Sequence, residues 1–257
     1  MLVKLSFLSF LCFGVLYPLC FWISYKDPIK NNFLRFHLGC PIFLAGLAII
    51  GSFFIPVDHI LRMWACGWLF FGLVLCAYFW NKQTVHLGLV TLLCLAGVTL
   101  YILFYTHLVG NNPKELIASI LAGLILSAAF YAMNLGHFYL NVHGLKLHHL
   151  RNAVAVFGVL LLIRLLWDIY GIICFELMYG GEMLALSRFM LTTEGIFLAV
   201  ALFFGILFPL GSLYFAFGTL KLKNTQATTG ILYVILSGIL LGDLAYKYYL
   251  LNYSIPL

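Results

Sequence analysis

Long apolar runs separated by short polar stretches organise the whole chain. Crossing roughly 30 Å of hydrocarbon takes a helix of about 20 predominantly apolar residues. Read from one polar stretch to the next, the pattern predicts eight such helices: Val3–Tyr25, Phe33–Ile55, Leu61–Trp80, Val85–Leu108, Leu116–Leu140, Leu150–Met178, Leu186–Leu220 and Thr228–Leu251. The expected fold is therefore all-α, a polytopic integral membrane helical bundle with about eight transmembrane helices.

The stretches between the runs are short and rich in polar or turn-forming residues. They are Lys26-Asp27-Pro28, Pro56-Val57-Asp58, Asn81-Lys82-Gln83, Gly110-Asn111-Asn112-Pro113, Gly180-Gly181-Glu182 and Lys223-Asn224-Thr225. None leaves room for a soluble domain, so residues 1–257 are expected to form a single transmembrane helical domain. The seventh run exceeds one span, and Gly205, Pro209 and Gly211 within it predict a kink or a partly interfacial end.

Composition supports a membrane protein and excludes a soluble one. Hydrophobic residues make up 64% of the chain and charged residues 9%, whereas a soluble domain is roughly 45–50% apolar and about 25% charged. A lipid bilayer is therefore the expected surrounding of most of the surface. The net charge of +6 is scattered singly and forms no basic stripe with interleaved aromatics, so nucleic acid is not an expected partner.

The distribution of Lys and Arg predicts the orientation, since these residues favour cytoplasmic loops. The odd-numbered loops hold eight of them: Lys26, Lys30, Arg35, Lys82, Lys146, Arg151, Lys221 and Lys223. The even-numbered loops hold three: Arg62, Lys114 and Arg188. We therefore expect odd loops inside and both termini outside, in a multi-pass protein of the cell inner membrane.

The cysteines and histidines show no metal-binding pattern. None of the seven cysteines forms a C-x-x-C pair, which disfavours a zinc or iron–sulfur site. The helical histidines show no repeated same-helix pair of the kind that stacks two haems, although a single haem stays open. Asn134, His137, His143, His148 and His149 match no metal-ligand spacing and are read as an interfacial polar region.

Ionisable residues inside the apolar runs are the main candidates for chemistry. A charge near the bilayer centre costs about 2.5–3.5 kcal/mol on insertion scales. Four such residues stand out: Arg164 and Asp168 in the sixth helix, Glu194 in the seventh and Asp243 in the eighth. The four-residue spacing lets Arg164 pair with Asp168, and Asp243 with Lys247.

Depth along the helices suggests that the three acids lie in one layer. At 1.5 Å per residue, Asp168, Glu194 and Asp243 fall at similar depth towards the outer face, where His107 and Tyr105 of the fourth helix could join them. The three acids would then line a cavity as proton-carrying groups, with Arg164, His107, Tyr105 and Lys247 contacting a substrate. In the alternative interpretation the charges are only structural. Arg164–Asp168 and Asp243–Lys247 each neutralise each other within one helix, and the Glu194 side chain extends to the outer interface near Arg188.

The last helix resembles a known family. The segment Gly238-Ile239-Leu240-Leu241-Gly242-Asp243-Leu244-Ala245-Tyr246-Lys247 is similar to the end of the dimethyl-sulfoxide-reductase-type membrane anchor subunits, in which an apolar run leads to a glycine, an acid and a basic residue. His37-Leu38-Gly39-Cys40-Pro41 is similar to the family's histidine-leucine-glycine segment. It starts the second helix here instead of ending it, so the family's quinol-site role is not carried onto His37.

The resemblance implies a subunit that binds quinol or quinone and exchanges electrons and protons with a separate iron–sulfur or cytochrome partner. The chain would at most be the quinol-oxidising membrane subunit of an oxidoreductase complex, with quinone as its cofactor. A proton- or cation-coupled small-solute transporter or channel is the first alternative, because charges in the membrane and a broken helix are typical of such proteins. A membrane assembly or scaffold subunit is the third.

Overall fold

The computed structural model describes residues 1–25, 29, 33–82, 84–142 and 144–257. Within them are eight helices long and apolar enough to cross a membrane, which confirms the predicted all-α polytopic fold. These spans, named by their order in the chain, are Leu2–Ser24, Phe33–Phe54, His59–Phe79, Leu87–Leu108, Pro113–Asn141, His148–Cys174, Ile196–Lys221 and Thr225–Tyr253. Lys26, Asp27, Pro28, Lys30, Gln83 and His143, which entered the sequence predictions, lie outside the described residues.

The chain divides into two compact units, an N-terminal unit of residues 1–112 and a C-terminal unit of residues 113–257. Each unit holds four spans. In both units consecutive spans pack against each other, and the first span of the unit also packs against the last. Each unit is therefore a bundle of four helices, and the single domain expected from the short loops stays a prediction.

In the N-terminal unit, the first two spans depart from regular α-helix. The first changes from α-helix (Leu2–Leu16) to 3-10 helix (Tyr17–Ser24) next to Pro18, and the second carries Pro41 inside its helix. A side chain at Gly14 would lie 2.7 Å from the Pro41 carbonyl oxygen, so glycine allows the two spans to approach closely. His37 is buried there and hydrogen-bonds to Tyr17.

The sixth span is shorter than predicted. Its helix ends at Cys174, and residues that the hydrophobic pattern extended to Met178 instead form strand β1 (Glu176–Tyr179), which pairs antiparallel with β2 (Glu182–Ala185). Gly180 and Gly181 connect the strands, both with positive φ, as a two-residue hairpin turn of this twist requires. The helical prediction was wrong here because a short apolar run fits a strand as well as a helix.

The predicted seventh helix, Leu186–Leu220, is also divided. A short helix spans Leu186–Phe189, and the membrane-spanning helix starts only at Ile196. Between them the Thr192 hydroxyl accepts a hydrogen bond from the Gly195 amide at 3.1 Å, and a side chain at Gly195 would lie 1.8 Å from the Phe189 carbonyl oxygen. The Thr-Thr-Glu-Gly sequence is thus a turn and helix start that hydropathy does not detect.

The seventh span contains a π-helical segment, Phe203–Leu207, and the kink or partly interfacial end expected there stays a prediction. The π-helical segment contains Gly205, which packs on Gly242 of the eighth span. A side chain at Gly242 would lie 2.5 Å from the Gly205 Cα atom. Two glycines therefore allow these helices to touch through their backbones, as small residues often do in membranes.

The close contact between Gly205 and Gly242 predicts that one added methyl group lowers stability strongly. We expect Gly242→Ala to lower stability by about 1–3 kcal/mol, because the new Cβ meets backbone that has no freedom to rotate away. The melting temperature of the detergent-purified protein measures this effect. Gly211→Ala is the matched control, since nothing lies within 4 Å of a Cβ at that position. Equal melting temperatures for the two variants would contradict the close approach.

Candidate functional site: a buried charged cluster

Two ion pairs lie buried in the C-terminal unit. Arg164 Nε is 3.0 Å from Asp168 Oδ1 in the sixth span, and Lys247 Nζ donates to Asp243 Oδ1 in the eighth. All four residues are at most 5% exposed. The pairing expected from the four-residue spacing is therefore present, because residues one helical turn apart share a face.

Tyr246 connects the eighth span to the Arg164–Asp168 pair of the sixth. It lies on the eighth span between Asp243 and Lys247, and its hydroxyl donates to Asp168 Oδ2 at 3.3 Å. Its ring also lies beneath the Arg164 guanidinium, with Cζ 4.3 Å from the ring centroid, a cation–π contact. We name Arg164, Asp168, Asp243, Tyr246 and Lys247 the charged cluster.

The sequence reasoning missed Tyr246. A detectable signal was its position three residues after Asp243, which places both side chains on one helical face. Its role depends on a partner in the sixth span, however, and spacing within one helix gives no information about a neighbouring helix.

The guanidinium of Arg164 also reaches the fifth span. Its Nη1 donates to the Ala118 carbonyl oxygen at 3.1 Å. Nη2 is buried and has no hydrogen-bond partner among the described residues. A buried donor without a partner costs about 1–3 kcal/mol, and more when it is charged, so this atom calls for a ligand, a water molecule or a change of partner.

A small cavity lies beside this arginine. Its volume is about 20 Å³, and its polar lining comes from Arg164, Asp243 and Tyr246. Gly205 and Ile206 of the π-helical segment form part of the apolar lining. A cavity of this size is large enough for one water molecule, which could link the two ion pairs through hydrogen bonds.

Apolar residues cover the cluster at the end of the unit where the β-hairpin lies. Tyr246 packs in a buried group that includes Phe189, Leu198, Tyr249 and Leu257. The Trp167 indole fastens the last residues of the chain to the sixth span by donating to the Pro256 carbonyl oxygen at 2.7 Å. We name this apolar group the cap; water reaches the cluster from this side only if the cap opens.

Glu194 lies outside the charged cluster. It also lies outside the seventh helix, so the expectation that it belongs to that helix was wrong. It precedes that span, in the turn that ends at Gly195, and its side chain is exposed. The carboxylate accepts hydrogen bonds from the Tyr179 hydroxyl at 2.5 Å and from the Thr193 hydroxyl at 2.9 Å. Two of the three predicted acids therefore share a buried site, and the third holds the hairpin at the surface.

The electrostatics of Glu194 follow from these contacts. The hydrogen bond from Tyr179 lowers the pKa of the Glu194 carboxyl below its usual value, and the bond from Thr193 acts in the same direction. The same Tyr179–Glu194 bond raises the pKa of the Tyr179 hydroxyl. In addition, the Tyr249 hydroxyl donates to the Glu194 backbone carbonyl, which ties this turn to the eighth span.

The remaining predicted site residues, His107 and Tyr105, lie in the N-terminal unit. Nε2 of His107 is 3.1 Å from the Pro56 carbonyl oxygen, so the end of the fourth span contacts the loop after the second. Tyr105 is fully buried. Their expected membership of one layer with the acids stays a prediction.

The polar region at the end of the fifth span forms local hydrogen bonds and ring contacts. The Asn134 amide donates to the Phe130 carbonyl oxygen at 2.8 Å, and His137 Nδ1 lies 3.2 Å from the Tyr233 hydroxyl of the eighth span. The rings of His148 and His149 are 4.0 Å apart. This geometry fits a polar seam between two spans.

Comparisons with protein-family models, with characterised proteins and with solved structures give no significant match. The resemblance of the last helix to the membrane anchor subunits therefore stays a prediction from the residues that carry it. The function has to be argued from the site itself.

The Glu194 contacts predict a pH dependence of the hairpin. A lowered carboxyl pKa means that the ionised form stabilises the folded state above the ordinary value of about 4.3, and that this contribution is lost as the pH falls through the lowered pKa. We expect Tyr179→Phe to raise the Glu194 pKa towards its ordinary value. NMR titration of ¹³C-carboxyl-labelled glutamate, assigned with Glu194→Gln, measures the change.

A different exposed tyrosine, one that does not contact Glu194, provides the control. Tyr214→Phe removes a hydroxyl from the seventh span and should leave the Glu194 titration unchanged. The same titration in wild type and in Tyr179→Phe would show that the hydrogen bond has no role in the electrostatics of the hairpin.

Proposed function

We propose that this protein is a proton-coupled membrane transporter in which the charged cluster is the proton site. The observation that carries the proposal is a small cavity lined by one residue of each buried ion pair, Arg164 and Asp243, beside a guanidinium nitrogen that has no partner in the described structure. Ionisable residues are rare within membrane spans and typically mark ion or proton pathways. A purely structural pair needs neither a second pair nor a polar cavity.

The cluster offers a defined proton acceptor. A proton that binds the Asp168 carboxylate neutralises it, which weakens its attraction to Arg164 and leaves the guanidinium with one excess positive charge. Asp243 lines the same cavity as Arg164 and can supply compensating negative charge. Proton binding on one helix would thus change the balance of ion pairs between the sixth and eighth spans.

The π-helical segment provides an element that can respond. π-helical turns occur frequently at functional sites, and broken helices line the binding sites of many transporters. Phe203–Leu207 contributes Gly205 and Ile206 to the cavity lining. A return of this segment to regular α-helix would rotate the first part of the seventh span relative to the cluster and would move Leu198 within the cap.

The size of the cavity fits a proton site that holds one water molecule and does not fit a quinone headgroup. Benzene occupies a cavity on the order of 150 Å³, whereas the cavity beside Arg164 is about 20 Å³. A quinone headgroup therefore requires rearrangement before it can contact these acids. Quinol binding with an iron–sulfur or cytochrome partner stays a prediction from the resemblance of the last helix, and the scaffold role stays a prediction as well.

Flux measurements test the transport proposal. Purified protein in liposomes loaded with a pH-sensitive dye would receive amino acids, sugars, carboxylates or nucleosides from outside, under an inside-negative membrane potential. We expect acidification of the lumen with one of these classes. Asp168→Asn should slow it at least 100-fold, because proton transfer by a positioned side chain contributes on the order of 10²–10⁴.

A double variant separates loss of function from loss of fold. Arg164→Met combined with Asp168→Leu replaces the ion pair by apolar groups of similar size, a change that buried pairs often tolerate. It should remain folded and inactive, and Glu194→Gln should remain active. Transport by the double variant at the wild-type rate, or no acidification by the wild type with any of the four classes, would contradict the proposal.

We further propose that the protein lies in the cell inner membrane with both termini outside, as the Lys and Arg distribution indicates. Under this topology the β-hairpin faces outward and the loop at Lys223 faces the cytoplasm. In a cysteine-free background, a membrane-impermeant maleimide added to intact cells should label Glu182→Cys. It should label Lys223→Cys only after permeabilisation. The reverse pattern would invert the topology.

A further inference from the structure

A long groove lies on the C-terminal unit, between the end of the seventh span and the start of the eighth. Its volume is about 750 Å³, and most of its lining is apolar. The seventh span lines it from Phe208 to Lys221, Leu222 lines it just beyond that span, and the eighth span lines it from Gly230 to Val234. Fourteen residues of helix correspond to about 20 Å, so the groove is far longer than any small polar solute.

One end of the groove carries positive charge. Lys221 lines it at the last residue of the seventh span, and Lys223 follows two residues later. Both side chains are exposed, and no carboxylate among the described residues lies within ion-pair distance of either. The eighth span begins close by at Thr225, and the N-terminal end of a helix carries partial positive charge.

We propose that this groove binds an anionic phospholipid, with its phosphate at Lys221 and Lys223 and one acyl chain along the apolar part. The length of the groove matches an extended acyl chain, and the basic residues at one end match the charge of the headgroup. Basic residues next to a membrane span attract anionic lipid headgroups in this way. A quinone has a long tail as well, but its headgroup is neutral and gains little from two ammonium groups.

Two glycines in the groove allow it to be filled without disturbing the helices. Gly218 and Gly230 both line the groove, and nothing lies within 4 Å of a Cβ placed on either. Leucine at these positions therefore occupies space that an acyl chain would use. Gly211 is equally unobstructed and does not line the groove, so Gly211→Leu is a matched control.

The experiment compares two lipids that have the same acyl chains. Purified protein in detergent receives phosphatidylglycerol or phosphatidylcholine, and native mass spectrometry and melting temperature report binding. We expect wild type to prefer phosphatidylglycerol. Because each lysine near a lipid phosphate contributes about 1 kcal/mol, Lys221→Gln with Lys223→Gln should reduce this preference on the order of 30-fold. Gly218→Leu with Gly230→Leu should reduce the binding of both lipids, whereas Gly211→Leu should reduce neither.

Other outcomes would overturn the assignment. Equal binding of the two lipids by wild type, or an unchanged preference in the double lysine variant, would contradict recognition of an anionic headgroup by these lysines. Unchanged binding in the double leucine variant would contradict the groove as the binding site. Stronger stabilisation by a quinone analogue than by phosphatidylglycerol, abolished in the leucine variant, would make this a quinone site.

Discussion

The cost of placing charge in hydrocarbon is the constraint on which the C-terminal unit depends. Arg164 and Asp168 are nearly fully buried, and neither is tolerable there without the other. Their mutual attraction accounts for only part of their hydrogen-bonding capacity. Tyr246, the Ala118 carbonyl group and the small cavity surround the remainder. The fifth, sixth, seventh and eighth spans therefore all contribute to the surroundings of a single guanidinium and its carboxylate.

The features that could be predicted from the sequence are those set by one helix alone. Apolar length identified all eight spans, and the four-residue spacing identified both ion pairs. Hydropathy predicted the wrong element where an apolar run continues beyond the end of a helix. In β1, Glu176–Tyr179 continues such a run as a strand. It failed again at Glu194, because an acid among apolar residues looks the same whether it is inside a helix or in a turn before it.

The sequence alone did not predict which residues form the charged cluster, because its members come from different spans. Tyr246 contacts Asp168 across 78 positions of sequence, and nothing in either helix specifies that distance. Gly205 and Pro209 predicted a kink or an interfacial end in the seventh span, and not a π-helical segment. The π-helical segment lies where Gly205 packs on Gly242, a contact between two spans that the pattern of one helix does not predict. Transport, quinone binding and scaffolding all fit the sequence, and the small volume beside Arg164 bears only on whether a quinone headgroup fits at that position.

The bond from Arg164 to Ala118 differs in kind from the rest of the cluster, because its acceptor is a backbone atom. Any amino acid at position 118 except one that breaks the helix supplies the same carbonyl oxygen. Removal of a side-chain functional group from the fifth span therefore cannot delete this acceptor. The fifth span takes part in the site without contributing a recognisable residue, so its role is visible only through the arginine that reaches it.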